Sequence, residues 1–228
     1  GSCRAILGTL VNGRMYMEDM HRFPTPIRKI GDRLTWDVDT LWKELYAGYK
    51  RARRRAPGLK SLSVDSWGSD YVPLDSSGSV VRNPYCHRDS RTTGMMKRVF
   101  MEVPERELYD ITGIQRMELN TIYQALADRI QEPKLTAQTD NRLMMADYFH
   151  YRFCGRAVTE RTLASTSQLM DLRSGSWAVA LMHRLHLSPE TWPVIVPPGT
   201  LLGRTADGIA VIAGCSHDTA CAVAAVPA

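Results

Sequence analysis

The stretch Ile209-Ala210-Val211-Ile212-Ala213-Gly214-Cys215-Ser216-His217-Asp218-Thr219-Ala220 decides how the rest of the chain is read. Its first five residues make a short strand pattern, Gly214 to Ser216 make a turn of small residues, and Ala220, Ala222 and Ala224 begin a closely packing helix. A strand that runs through such a turn into a helix holds an imidazole, a carboxylate and a hydroxyl together at the edge of a cleft. A carboxylate there can act as general base for phosphoryl transfer to an alcohol. In that reaction the protein mainly positions the hydroxyl, accepts its proton and neutralises phosphate charge. The same residues also suit a plain helix cap, with Asp218 and Thr219 closing the first turn, and spacing alone favours neither reading.

Outward from this stretch the pattern is α/β. Residues 4–11 and 14–23 flank Asn12-Gly13, a dipeptide suited to the positive φ of a tight hairpin turn, so two antiparallel strands open the fold. Asp37 and Asp39 suit the N-cap of a helix carrying Leu41, Leu45 and Tyr49 on one face. Ser61-Leu62-Ser63-Val64 reads as a strand that delivers Asp65-Ser66-Trp67-Gly68 at its C-terminal end, where open α/β sheets bind ligands. A second hairpin is expected between residues 71–74 and 80–81, turned by Asp75-Ser76-Ser77-Gly78. Residues 92–187 read as helical, with an apolar run over 143–153 stopped by Gly155. Pro193, Pro197, Pro198 and Gly199 then interrupt the chain.

Composition narrows the function classes. The chain has 228 residues, 44% of them hydrophobic, enough for a sizeable core. Its net charge of +5 is modest and dispersed, which does not imply nucleic-acid binding. The densest basic run, Arg51, Arg53, Arg54 and Arg55, stands where cations complement a helix C-terminus. The five cysteines form no Cys-x-x-Cys pair and fit reduced, cytoplasmic thiols. His183 and His186 have no third ligand nearby in sequence, so no metal site is implied. No apolar run is long enough to span a bilayer and no signal-peptide pattern opens the chain, so no membrane partner is expected. The start on Gly1-Ser2-Cys3-Arg4 without an initiator methionine, and the stop on Val226-Pro227-Ala228, read as the ends of a fragment.

The segment Gly214-Cys215-Ser216-His217-Asp218-Thr219-Ala220 resembles the motif that carries the catalytic aspartate of the rhamnulokinases, a group within the FGGY family of carbohydrate kinases. Other blocks agree in order: Asp65-Ser66-Trp67-Gly68-Ser69-Asp70, Arg88-Asp89-Ser90-Arg91 within residues 85–92, Thr112-Gly113-Ile114-Gln115, Asn120-Thr121-Ile122-Tyr123-Gln124, Leu143-Met144-Met145-Ala146-Asp147-Tyr148, and residues 165–169. The resemblance spans essentially the whole chain.

The resemblance implies a ribonuclease-H-like (actin-like ATPase) α/β fold, a mixed sheet with an opening β-hairpin and helices on both faces. Residues 1–228 would be the sugar-binding N-terminal domain without its first few residues, and the ATP-binding C-terminal domain would be absent from this chain. The implied reaction is ATP-dependent phosphorylation of L-rhamnulose at its 1-hydroxyl, giving L-rhamnulose 1-phosphate in L-rhamnose catabolism. Asp218 matches the proton acceptor, His217 and Thr219 its substrate-contacting neighbours, and Gly68 a glycine that approaches the sugar through its backbone, where a Cβ would obstruct the ligand. Trp67 and Asp70 are further substrate candidates, an aromatic face and a hydroxyl acceptor, although a tryptophan anchoring the strand to the core fits as well. Gly1, Ser2, Cys3 and Arg4 resemble the tail of a turn whose backbone N–H groups face the ATP phosphates. Cys3 stands where the family offers glycine, and Leu163 where it offers asparagine. Mg²⁺ is expected as the counter-charge of the ATP phosphates. The chain alone is expected to bind sugar weakly and ATP very weakly. Two alternatives remain: a kinase for another ketose such as L-fuculose, and a non-catalytic sugar-binding or actin-like module.

Overall fold

A computed structural model of the chain describes residues 1–226. Pro227 and Ala228, which end the alanine-rich segment, lie outside the described residues. The chain opens as expected with an antiparallel ribbon, β1 (Ser2–Val11) and β2 (Arg14–Pro24), paired from Ser2 opposite Pro24 to Val11 opposite Arg14 with a one-residue register shift between Ala5 and Ile6. Asn12 at φ 49° and Gly13 at φ 76° make its turn. A short hairpin follows, β3 (Ile27–Ile30) with β4 (Arg33–Trp36).

The long helix α1 (Val38–Arg55) begins where the Asp37 carboxylate accepts from the Thr40 N–H at 3.1 Å, and it ends on Arg53, Arg54 and Arg55. It buries Leu41, Tyr49 and Ala52 and lies on the ribbon at Gly48, where a Cβ would stand 2.5 Å from that of Ala5. Near its end, Tyr49 donates to the Asp207 carboxylate at 2.5 Å, and Arg53 pairs with the same group at 2.9 Å. Asp207 lies far along the chain, so α1 braces two regions at once.

After α1 come β5 (Ser61–Leu62) and β6 (Tyr71–Leu74). The hairpin expected after β6 is reduced to one bridge between Leu74 and Val80, over a turn in which the Asp75 carboxylate accepts from the backbone of Ser77 and Ser79. The ladder partner of β6 comes later. Four helices intervene, α2 (Met95–Glu102), α3 (Glu105–Thr112), α4 (Thr121–Gln131) and α5 (Pro133–Ala137), before β7 (Asn141–Met144) pairs antiparallel with β6. The apolar run over 143–153 is therefore not one helix. Leu143 and Met144 end a strand whose partners, Val72 and Tyr71, are buried, and α6 (Met145–Cys154) starts only afterwards, stopping at Gly155.

The remaining elements are β8 (Thr159–Glu160), α7 (Arg161–Thr166), α8 (Val179–Arg184), β9 (Ile195–Val196), β10 (Thr200–Arg204), β11 (Ala210–Ala213) and α9 (Asp218–Ala224). The mixed pairing is confined to one three-stranded sheet, β10 antiparallel to β11 and β11 parallel to β5, while the other described strands pair in twos. Apolar side chains of α2, α4 and α8 build the largest core with Tyr71, Met144 and Trp192; a second core joins Trp36, Leu41, Val72 and Tyr148.

The Arg88-Asp89-Ser90-Arg91 block is a brace. Asp89 accepts from the Leu34 N–H at 2.6 Å and the Arg91 N–H at 2.9 Å. Arg91 reaches into the interior, where it meets Asp128 of α4 at 2.5 Å; Asp128 also binds Arg82 at 2.6 Å and accepts from the Tyr71 hydroxyl. Both guanidinium groups lie 4.2 Å from the centre of the Tyr85 ring. Burial alone would raise the Asp128 carboxyl, but Arg91 and then Arg82 outweigh it and hold it below its ordinary value.

Asp128→Asn strands the buried Arg91 and the partly buried Arg82, and chemical denaturation should show a loss of about 3–5 kcal/mol. Because the folded-state carboxyl is depressed, its stabilisation is complete at neutral pH and fades as pH falls through the acid range, so parent and variant should converge there. Gly48→Ala gains about 1 kcal/mol of helix propensity but meets Ala5 at 2.5 Å, and the overpacking of about 1–3 kcal/mol should prevail as a net loss of stability in the same titration.

Candidate functional site

The parallel pairing of β11 with β5, Ala210 to Ser61 and Val211 to Leu62, carries both strands toward the same edge. Beyond it the two segments meet again. Ser66 and His217 form a parallel bridge in which the Ser66 N–H donates to the Ser216 carbonyl and the Asp218 N–H to the Ser66 carbonyl, each at 2.9 Å. The His217-Asp218-Thr219 turn thus lies directly beside Trp67-Gly68-Ser69, at the C-terminal ends of parallel strands.

Asp218 is the first residue of α9 and its side chain is 55% exposed, so the carboxylate is open to a ligand. The Thr219 N–H donates to it at 2.7 Å, and His217 Nε2 lies 3.5 Å from the same oxygen. His217, not Asp218, is the N-cap of α9 and no side chain caps the helix, so the Asp218 carboxylate touches only the N–H of the next residue and stays open. A second carboxyl, Asp65, neighbours it. Asp65 keeps solvent access, yet its carboxyl is pushed up, first by desolvation of the acid group and then by the charge of Asp218, with Arg4 pulling the other way.

A Cβ at Gly68 would lie 2.7–2.8 Å from Oγ1, Cβ and Cγ2 of Thr166, the last residue of α7, so the close approach of this threonine by itself requires glycine here. Thr166 Oγ1 also accepts from the Ser69 N–H at 3.1 Å.

Asp70 does not face a ligand. It is fully buried and accepts on Oδ2 from Trp36 Nε1 at 2.6 Å, Trp67 Nε1 at 2.8 Å and His87 Nδ1 at 2.9 Å, and on Oδ1 from Gln124 Nε2 at 2.9 Å, so burial keeps the carboxylate from solvent. Trp67 is half-buried, its N–H committed to Asp70 and its ring 4.4 Å from that of Trp36, which is the anchoring role. Leu163 is fully buried in the largest core and lines no open surface.

Ser2, Cys3 and Arg4 form the first rungs of β1, opposite Pro24, Phe23 and Arg22, rather than a turn. Gly1 precedes the strand and its carbonyl accepts from the Thr25 N–H at 3.2 Å. Extended backbone in a ladder does not gather successive N–H groups on one point. The charge of Asp65 acts on both Cys3 and Arg4. All five cysteines are free, and the Cys221 thiol of α9, pushed up to about 11 by burial and then by Asp65, donates to the Cys215 carbonyl at 2.5 Å.

Glu160 and Thr162 were not picked out from the sequence, and Thr166 only as part of the 165–169 block without a role. The spacing of Thr162 and Thr166, one turn apart on α7, was the available signal, because such residues share a helix face. Among the described residues no cluster of three or more His, Cys, Asp or Glu side chains is placed to hold a metal, and no helix is long and apolar enough to cross a membrane.

The backbone resembles that of xylulose kinase from Rhodospirillum rubrum, with a TM-score of 0.84 at 21% identity over 96% of this chain and 48% of that one. Glycerol kinase from Plasmodium falciparum, solved with ADP, gives a TM-score of 0.78 at 13% identity over 90% of this chain and 46% of that one. Both likenesses concern the actin-like fold. In sequence, the rhamnulokinase of Bacteroides thetaiotaomicron is 34% identical over 236 aligned positions, covering all of this chain and 49% of that protein. The chain thus spans about half the length of that relative. Its residues 1–226 match the N-terminal domain of the FGGY carbohydrate kinases, and the chain belongs to that family.

Proposed function

We propose that residues 1–228 are the sugar-binding domain of an ATP-dependent kinase that phosphorylates L-rhamnulose at its 1-hydroxyl, with Asp218 as general base. The observation that carries this reading is the solvent-open Asp218 carboxylate, held by the Ser66 bridge beside the Trp67-Gly68-Ser69 loop. Asp218 takes the proton of the attacking hydroxyl as its oxygen bonds to the γ-phosphorus, and the phosphorus–oxygen bond to ADP breaks. His217 and Thr219, on either side of the base, are placed to contact the sugar's other hydroxyls. L-rhamnulose is preferred among ketoses because of the rhamnulokinase relative and the motifs shared with that group. A purely sugar-sensing domain has no use for an open carboxylate at this point, which favours the kinase.

ATP would be held mainly by a further domain, with Arg4 a cation on this side whose charge acts on Asp65. A magnesium ion brought by the nucleotide would draw on Asp65, the second acid at this edge, since Mg²⁺ commonly takes one or two carboxylates together with phosphates and water. Such an ion would neutralise phosphate charge, while Asp218 still has to accept the proton.

The test is ATP consumption by the full-length polypeptide that contains this chain, with L-rhamnulose, L-fuculose, D-xylulose and glycerol compared by kcat/KM. Rhamnulose should lead, and Asp218→Asn should lose about 10²–10⁴-fold in kcat while its sugar affinity stays within a few-fold. A lead by another sugar overturns the substrate, and a fully active Asn variant overturns the base. Gly68→Ala drives a methyl into Thr166 and displaces the loop beside the base; calorimetric titration should show sugar affinity falling about tenfold or more, the equivalent of about 1–3 kcal/mol of overpacking.

A further inference from the structure

Beneath the Ser216-His217-Asp218 turn lies a carboxylate that the reaction does not use. Glu160 ends β8, caps α7 and is fully buried. Its Oε2 accepts from the Thr162 N–H at 2.9 Å, the Thr162 hydroxyl at 2.5 Å and the Ser216 N–H at 3.1 Å. The Thr162 hydroxyl, with its proton committed to Glu160, turns its lone pairs outward and accepts from the His217 N–H at 3.0 Å. The Asp218 N–H goes to the Ser66 carbonyl at 2.9 Å. Three successive amides leading into the base are therefore each pinned, two of them by Glu160 either directly or through one hydroxyl.

The other end of the same helix holds the other half of the site. Thr166 accepts from the Ser69 N–H and fills the space above Gly68. The two ends of α7 thus grip the base turn and the neighbouring loop, and its length sets their spacing. Burying a carboxylate is costly unless donors converge on it, and here they converge on Oε2 from both the helix start and the turn it supports, while Oε1 is buried without a partner.

We propose that Glu160 is a positioning residue for the phosphoryl transfer, acting through Ser216 and Thr162 to hold the Asp218 carboxylate at the attacking hydroxyl. This rests on the reading of Asp218 as the base. Displacement of a reacting group by about 1 Å can cost about 10²-fold in rate without loss of binding, so the effect belongs in kcat.

The experiment compares Glu160→Gln, Thr162→Val, Thr162→Ser and Asp218→Asn in the full-length polypeptide, measuring kcat, KM for sugar and for ATP, and Tm. Thr162→Val keeps the side-chain shape but removes the relay; its kcat should fall about tenfold to a hundredfold with both KM values within about threefold of the parent. Thr162→Ser retains the hydroxyl and should recover most of that loss, and Glu160→Gln, which replaces a charged acceptor by a neutral one, should fall between. The positioning role is overturned if Thr162→Val and Glu160→Gln lower Tm but leave kcat intact while Asp218→Asn is inactive. It is overturned equally if Ser restores nothing, because Val and Ser then share a packing defect. An active Asp218→Asn overturns instead the reading on which this one rests.

Discussion

The bridge between Ser66 and His217 is the constraint on which the site depends. It is made entirely of backbone groups, so it fixes position without drawing on any side chain the chemistry needs. The β11–β5 ladder below it is only two residues long and gains its rigidity from what packs behind: Val158, Val196, Leu202, Val211 and Ala213 form a small core of their own. Gly214 lets the two segments converge, since a Cβ there would stand 2.8 Å from Ser63 Oγ. A turn so short, anchored on both sides, leaves Asp218 little choice of direction.

Buried acids carry much of this architecture. Asp70, Asp128 and Glu160 each gather donors from segments distant in sequence, and each is withdrawn from solvent. Charge is the reason one residue can do this: an ionised carboxylate offers about four lone-pair positions and binds each donor more strongly than a carbonyl would. Asp70 satisfies two indole N–H groups that would otherwise be buried unpaired, and Asp128 compensates two arginines. The acids available for chemistry are those left at the surface beside the bridge, Asp65 and Asp218.

What the sequence disclosed follows the same division. The Asn12-Gly13 turn, the Asp37 cap, the start of β11 and the helix after Asp218 were legible because each is decided by neighbours in the chain. The actin-like fold became legible through family motifs, not through periodicity. The burial of Asp70, offered as a hydroxyl acceptor, was not legible because its partners, Trp36, His87 and Gln124, converge only after folding. Leu143 and Met144 were misread as helical because an apolar run carries no mark of the strand it will pair with. The glycine at 68 was recognised, but the atom that excludes its Cβ belongs to Thr166, nearly a hundred residues away. Position along the strand pointed to the site; burial decided which of its acids are free.

The Asp70 hub also gives the molecule an optical property. Trp36 and Trp67 hold their rings 4.4 Å apart at 42° to one another, with both N–H groups fixed on one carboxylate oxygen. Two indoles so close and so inclined share their excited states, and a rigid, skewed pair of this kind has near-ultraviolet circular dichroism that neither ring has alone. Because Trp67 immediately precedes Gly68, the chromophore pair is mechanically part of the loop beside Asp218, and a tilt of that loop is written into the spectrum of the unlabelled protein.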